Sequence, residues 1–367
     1  MNPVTPSSTV PAAPTSPTPP TSSTAPAPSQ TSTTAPSPAP GLVRSGFVYS
    51  DGDPATADQT TEDFSAPSNA WFVPHVAQSV TMENDYNPSN RRFNGQGEVK
   101  TIASEYHVIT TDRSGNSIDW NKPVGLLIRL HGDGAGEYTR GQASTTTWEY
   151  ADEAIANNMM VIIPRTPDVA SNTWWQATER AEHRAYLESL VDSVIADPNY
   201  PNINRSDIFW YGYSGGAEFL GYDFITNATN YITSGAILTG GGGKPSWYSY
   251  RHESNASDRQ KRDVPISWVL GANDNGTEGM PAWGVPPNGF DAVTASKQGF
   301  EYYCSNNGAG GYTQVSASKY ECNNTASGFK RATLEYLPRQ NHYTVNAGEI
   351  LGSYLPQRAV TTPNIVN

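Results

Sequence analysis

The sequence predicts an α/β fold built on a mostly parallel, doubly wound sheet, and three observations carry that prediction. Short apolar runs at 124–130, 159–163, 208–211, 232–238, 266–270 and 332–337 have the length and composition of strands buried on both faces. Between them lie segments with apolar residues at helical spacing. The clearest is 178–196, where Leu187, Leu190, Val191, Val194 and Ile195 share one face and Asp197-Pro198 ends the pattern. Third, the run 208–211 feeds straight into Gly212-Tyr213-Ser214-Gly215-Gly216 and then a helix-compatible stretch from Ala217. A strand that turns so sharply into a helix tolerates only small residues beside the serine. Repeated β-α units of this kind put functional loops at the carboxyl ends of the strands.

Taken in order, residues 1–43 contain no Lys, Arg, Asp or Glu and are dominated by Pro, Thr, Ser and Ala. Such a segment buries too little apolar surface to offset its ordering entropy, and it reads as a disordered spacer. Residues 44–367 then form one domain, with β-like pieces at 47–49 and 71–80 inside an accessory region, 44–100, placed at a sheet edge or as a small cover. A clearer strand follows at 106–110, then a Ser-Gly-Asn turn within 112–119. Helices are expected at 147–157, 178–196 and 347–354, and 247–262 reads as a polar insertion, a lid or a loop.

A formal charge of -12 argues against nucleic acid or an anionic membrane surface as partner. No apolar run approaches the ~20 residues of a membrane span. Two cysteines, Cys304 and Cys322, are either unrelated thiols or a disulfide worth about 3 kcal/mol by loop closure. The spacer composition favours an oxidising, extracellular setting and so the disulfide. The start Met1-Asn2-Pro3-Val4 has neither a basic nor an apolar leader segment. The expected setting is therefore secreted with the leader removed, or virion-associated in a phage.

Ser214 at the apex of the tight turn is a candidate nucleophile, and the amide of Gly215 would point at the same spot. A serine nucleophile needs a base, and the base needs an acid to orient it. Of six histidines, only His252 and His342 follow the serine. His342 lies in a loop after the last strand, whereas His252 lies in the polar insertion, so His342 is the candidate base. Asp274 directly follows the strand 266–270 and is the candidate acid, with Asp291 and Glu278 as rivals; Asp263 precedes that strand and falls at its other end. The loop His131-Gly132-Asp133-Gly134 follows the strand 124–130, and Asp133 or Gly134 is expected to give a second oxyanion donor through its N–H. His131 itself reads as structural. Trp174 and Trp175 follow the strand 159–163 and are candidates for lining a substrate pocket; Trp247 and Trp283 stand in later loops. No His or Cys cluster has metal-ligand spacing, so neither a metal nor another cofactor is expected.

Together Leu130-His131-Gly132, Trp174-Trp175 before the long helix, the segment 202–208, Gly212 to Gly216, Asp274 and His342 resemble the α/β-hydrolase superfamily. Within it the chain is similar to secreted esterases of the polyhydroxybutyrate depolymerase and feruloyl esterase type, over roughly residues 120–355. The resemblance implies a serine esterase with Ser214, Asp274 and His342 as its triad, acting on a small or polymeric ester outside the cell. Two other readings are a serine peptidase on the same fold and a non-catalytic adhesion or virion module.

Overall fold

The computed structural model describes residues 69–81, 86–87, 92–93, 99–176, 178–245, 256–276, 290–305, 311–323 and 328–360. The expected spacer over 1–43, the strand piece at 47–49, and Trp247, His252, Glu278 and Trp283 lie outside them. All of the described residues belong to the unit Gly46–Asn367.

In chain order the strands begin with β1 (Ala70–Thr81), the two-residue pair β2 (Tyr86–Asn87) and β3 (Arg92–Phe93), β4 (Val99–Ile109) and β5 (Val124–Leu130). Helices α1 (Gly136–Arg140) and α2 (Thr145–Ala156) lead to β6 (Met159–Pro164). Then come α3 (Arg180–Ala196), β7 (Ile203–Tyr213), α4 (Gly215–Phe219), α5 (Ile225–Asn227) and β8 (Gly235–Thr239). The chain finishes with α6 (Asp258–Asp263), β9 (Ile266–Gly271), α7 (Ala292–Ser305), the hairpin β10 (Tyr312–Ser316) and β11 (Lys319–Cys322), β12 (Ala332–Leu337) and α8 (Ala347–Tyr354).

Ten strands form one sheet in the order β1-β4-β6-β5-β7-β8-β9-β12-β11-β10. The six central strands, β6 to β12, pair in parallel. Antiparallel strands flank them at both ends, β4 and β1 on one side, β11 and β10 on the other. This is the strand order of the α/β-hydrolase fold.

Every residue of β5, β6, β8 and β9 is buried, as parallel strands covered on both faces require. Alternation then splits the core in two. Leu126, Ile128 and Leu130 pack with Leu187, Leu190 and Val191 of α3 and with Phe300 of α7 on one face. Leu127 lies on the other face with Tyr150 and Ala154 of α2 and with Ile350 and Leu351 of α8. Arg129, the one cation inside β5, is buried over the Tyr150 ring at 4.8 Å, with Glu137 at 3.7 Å.

Several elements begin or end away from their expected bounds; β4 starts at Val99, seven residues before the expected 106, along its pairing with β1. The expected strand 208–211 starts five residues earlier, at Ile203, which pairs with Val124 of β5, and Asp207 within it is buried in an ion pair with Arg358. The strand expected at 232–238 begins at Gly235, since 229–231 is a 3-10 turn. Within the polar insertion, 258–263 is helical and is opened by a reciprocal Ser257–Gln260 cap. Cys304 and Cys322 are disulfide-bonded, joining the end of α7 to β11.

Candidate active site

Because β5 to β9 and β12 run parallel, the loops that follow them open on one rim of the sheet. Ser214 is the first residue beyond β7 and adopts φ 50°, a left-handed value that costs a side-chain-bearing residue about 1–2 kcal/mol. The turn is held by Ser214 N–H donating to the Thr239 carbonyl at the end of β8 and by Glu218 N–H donating to Ser214. Its glycines are a steric necessity. A Cβ at Gly212 would stand 2.7 Å from the Gly216 carbonyl, and one at Gly216 would stand 2.8 Å from the His131 carbonyl.

His342 comes from the loop beyond β12 and Asp274 from the turn beyond β9. The two loops are laced together by Asn273 N–H donating to the Gln340 carbonyl and Ala272 N–H to that of Leu337. The side chains meet: Ser214 Oγ lies 3.0 Å from His342 Nε2, and His342 Nδ1 lies 2.9 Å from Asp274 Oδ2. Asp274 is 1% and His342 6% exposed, while Ser214 is half-buried and open to solvent. Nδ1–H donating to the carboxylate leaves a lone pair on Nε2 for the serine hydroxyl, the tautomer that a general base needs. The ring rests on Gly240, where a Cβ would come within 3.0 Å of Cε1. The backbone of His342 is fixed by Tyr213, whose hydroxyl donates to the His342 carbonyl at 2.9 Å. Tyr213 stands between Gly212 and Ser214 in the tight turn, and its identity there gave no hint of this contact.

Of the rivals for the acid position, Glu278 lies outside the described residues, and Asp291 has other work. Asp291 accepts from Thr294 N–H and hydroxyl at the start of α7, and Asp263 pairs with Arg262 at the opposite end of β9. Among the described residues no group of His, Cys, Asp and Glu could hold a metal ion.

On the oxyanion side, the Gly215 and Asp133 amides donate to no other group among the described residues. Gly134 is a correction to the expectation: its N–H donates to the Asn172 carbonyl at 3.1 Å and is already used. His131 is buried and structural. Nδ1–H donates to the Gly132 carbonyl at 2.7 Å, Nε2 accepts from Thr166 N–H at 3.2 Å, and burial pushes the ring down to about 4. It thereby ties the loop after β5 to the loop after β6.

The tryptophan pair divides. Trp174 is 0% exposed, with its ring against His131, His183 and Phe219, so it packs the core and does not line an open pocket, contrary to expectation. Trp175 is at the rim, and its indole N–H lies 3.0 Å from both oxygens of Asp133. Tyr343, half exposed beside the His342 ring, also borders the opening. An aromatic next to the histidine in sequence was the available signal for it.

No protein-family model and no curated protein matches the chain. Among solved structures it is similar to an acetyl xylan esterase from Aspergillus awamori, at 15% identity over 77% of this chain and 99% of that one, with a TM-score of 0.43. It is also similar to LpqC, a poly(3-hydroxybutyrate) depolymerase from Bordetella parapertussis, at 13% identity over 69% and 83%, with a TM-score of 0.42. A thermostable esterase matches at 15% identity over 77% of this chain, TM-score 0.37, and the chain spans 60% of that protein's length. Among the described residues no helix is long and apolar enough to cross a membrane.

Proposed function

We propose that the protein is a serine esterase in which Ser214 is the nucleophile, His342 the general base and Asp274 the residue that orients it. The observation that carries this reading is the hydrogen-bonded series Ser214–His342–Asp274, assembled from three loops at one sheet rim. Ser214 Oγ attacks the ester carbonyl while Nε2 takes its proton, and the imidazolium so formed is stabilised by the Asp274 carboxylate. The Gly215 and Asp133 amides hold the oxyanion. Collapse of the tetrahedral intermediate passes the proton from Nε2 to the departing alcohol. Water then enters, His342 deprotonates it, and the acyl-serine is hydrolysed by the same steps. An alkoxide leaves more readily than an amide anion, so an ester asks less of the proton relay than an amide does, and the ester is the substrate class proposed.

A disulfide and a charge-free Pro/Thr-rich segment preceding an acidic domain support work outside the cell, on a polymer or envelope ester. The test is release of p-nitrophenol from p-nitrophenyl acetate, together with labelling of the wild type by a fluorophosphonate. Ser214→Ala should abolish both; a folded Ser214→Ala protein that keeps its turnover refutes the assignment.

A further inference from the structure

Asp133 places a fixed negative charge at the mouth of the candidate site. The residue is solvent-exposed, yet its carboxylate is held by the Trp175 indole N–H, 3.0 Å from each oxygen. Oδ1 lies against the elbow itself: a Cβ on Gly215 would come within 1.9 Å of it. The charge therefore stands beside the amide that would hold the oxyanion. Although the residue reaches solvent, its carboxylate lies against the elbow and is partly desolvated there, which raises its carboxyl; the Trp175 hydrogen bond and the His342 ring act in the opposite direction. Among the described residues no Lys or Arg forms an ion pair with it. A single indole N–H uses one of the roughly four acceptor positions of a carboxylate, which leaves the others for an incoming molecule.

Such a charge opposes an anionic substrate and also works against the developing oxyanion, because like charges repel strongly where water is partly excluded. A substrate that brings an O–H donor or a cationic group to Asp133 removes that cost. One that brings a carboxylate adds to it. We infer, resting on the serine-esterase reading above, that Asp133, oriented by Trp175, is a specificity-determining residue that selects esters bearing a hydroxyl or cationic group beside the scissile carbonyl and rejects anionic ones.

Two small series separate the acyl from the alcohol side. Acetates of choline, ethylene glycol, propanol and glycolate carry a cation, a hydroxyl, nothing and an anion on the alcohol. Methyl esters of betaine, glycolate, propionate and malonate do the same on the acyl group. Turnover is followed by pH-stat, and the readout is the ratio of kcat/KM for the cationic to the anionic member. Comparing that ratio between wild type and Asp133→Asn cancels the intrinsic reactivity of the esters. The ratio should fall about tenfold or more in Asp133→Asn in at least one series, and the hydroxyl member should lose its advantage over the plain one in that series. A ratio that stays within about twofold in both series overturns the inference. In the wild type alone, raising NaCl from about 20 mM to about 500 mM should lower the same ratio through screening, and a ratio indifferent to salt also overturns it. Failure of the parent reading looks different: Ser214→Ala would keep its turnover, or the wild type would leave every member of both series intact.

Discussion

Replacing Asp274 by asparagine tests the relay at its least accessible member. The carboxylate is 1% exposed and receives the Nδ1–H of His342 at 2.9 Å. In the proposed mechanism His342 takes the serine proton and an imidazolium forms beside the carboxylate. At roughly 4 Å between charge centres and an effective dielectric of about 20, the attraction is about 4 kcal/mol, which corresponds to about 10³-fold in rate. Asparagine removes that attraction and introduces a second fault. If its NH₂ faces Nδ1, the ring must accept there and carry its proton on Nε2, presenting an N–H to Ser214 where a lone pair is needed. Asp274→Asn should therefore lower kcat about 10³- to 10⁴-fold with KM little changed. The assay is steady-state p-nitrophenol release, with a circular-dichroism melt showing that the variant is folded. A folded Asp274→Asn protein within about tenfold of the wild-type kcat would refute the reasoning.

Three further outcomes follow from the packing around the site. Gly240→Ala puts a Cβ 3.0 Å from His342 Cε1 at a φ of +66°, so the ring must shift away from its partners; kcat should fall about 10- to 100-fold, and an unchanged kcat would show that the ring has slack. Arg358→Ala strands the buried carboxylate of Asp207, which Nε now holds at 3.0 and 3.1 Å. Urea titration should show a loss of about 3–5 kcal/mol, and a loss below about 1 kcal/mol would contradict the pairing. Glu218 is buried behind Ser214, and burial pushes its carboxyl up to about 7 from an ordinary 4.5, against hydrogen bonds from Tyr222, Gly243 and Gly242. A raised carboxyl favours its neutral form in the folded state, so that stabilisation is complete below pH 4.5 and is lost as pH climbs through about 7. Relative to Glu218→Gln, the wild type should lose roughly 3 kcal/mol across this window; stability curves that run parallel would refute the shift.

The rim was legible because its strands are apolar throughout and each is followed by a loop rich in Gly, Asn or Asp. β5, β9, β12 and α8 fall where the pattern puts them, and chain order then singled out His342. What escaped is what depends on partners far along the chain. α7 has Val293, Thr294 and Ser296 in its opening turns and carries Gly299 inside, weak helix formers that offset its alanines and blurred the signal. Its place is set by Phe300 and Tyr303 packing on Trp268. The hairpin β10–β11 is polar and largely open to solvent, so no alternation marks it. The polar residues Asn204 to Asp207 hide the first half of β7 from an apolar pattern, and only the pairing of Asp207 with Arg358, 151 residues away, explains its burial. Trp174 and Gly134 failed for a related reason. The burial of one and the spent amide of the other are decided by loops crossing the rim, and local composition does not record such crossings.

The same contrast explains the four glycines 240–243, which in the sequence are only a composition. Glu218, on the helix that opens at the elbow, accepts from the Gly242 and Gly243 amides. Trp268 Nε1 on β9 donates to the Gly242 carbonyl, and Ser296 Oγ on α7 donates to that of Gly241. A Cβ on Gly299 of α7 would come within 1.9 Å of the Gly242 oxygen, so helix and strap are in backbone contact. Gly240 at the strap's near end lies under His342. One backbone segment thus joins the serine's helix, the aspartate's strand and the floor of the histidine. Ser214 and Asp274 lie 128 and 68 residues from His342, and loops free to move independently would not hold two hydrogen bonds near 3 Å between them. The strap supplies the shared reference, and it does so with inward-facing amides and carbonyls that leave no room for side chains.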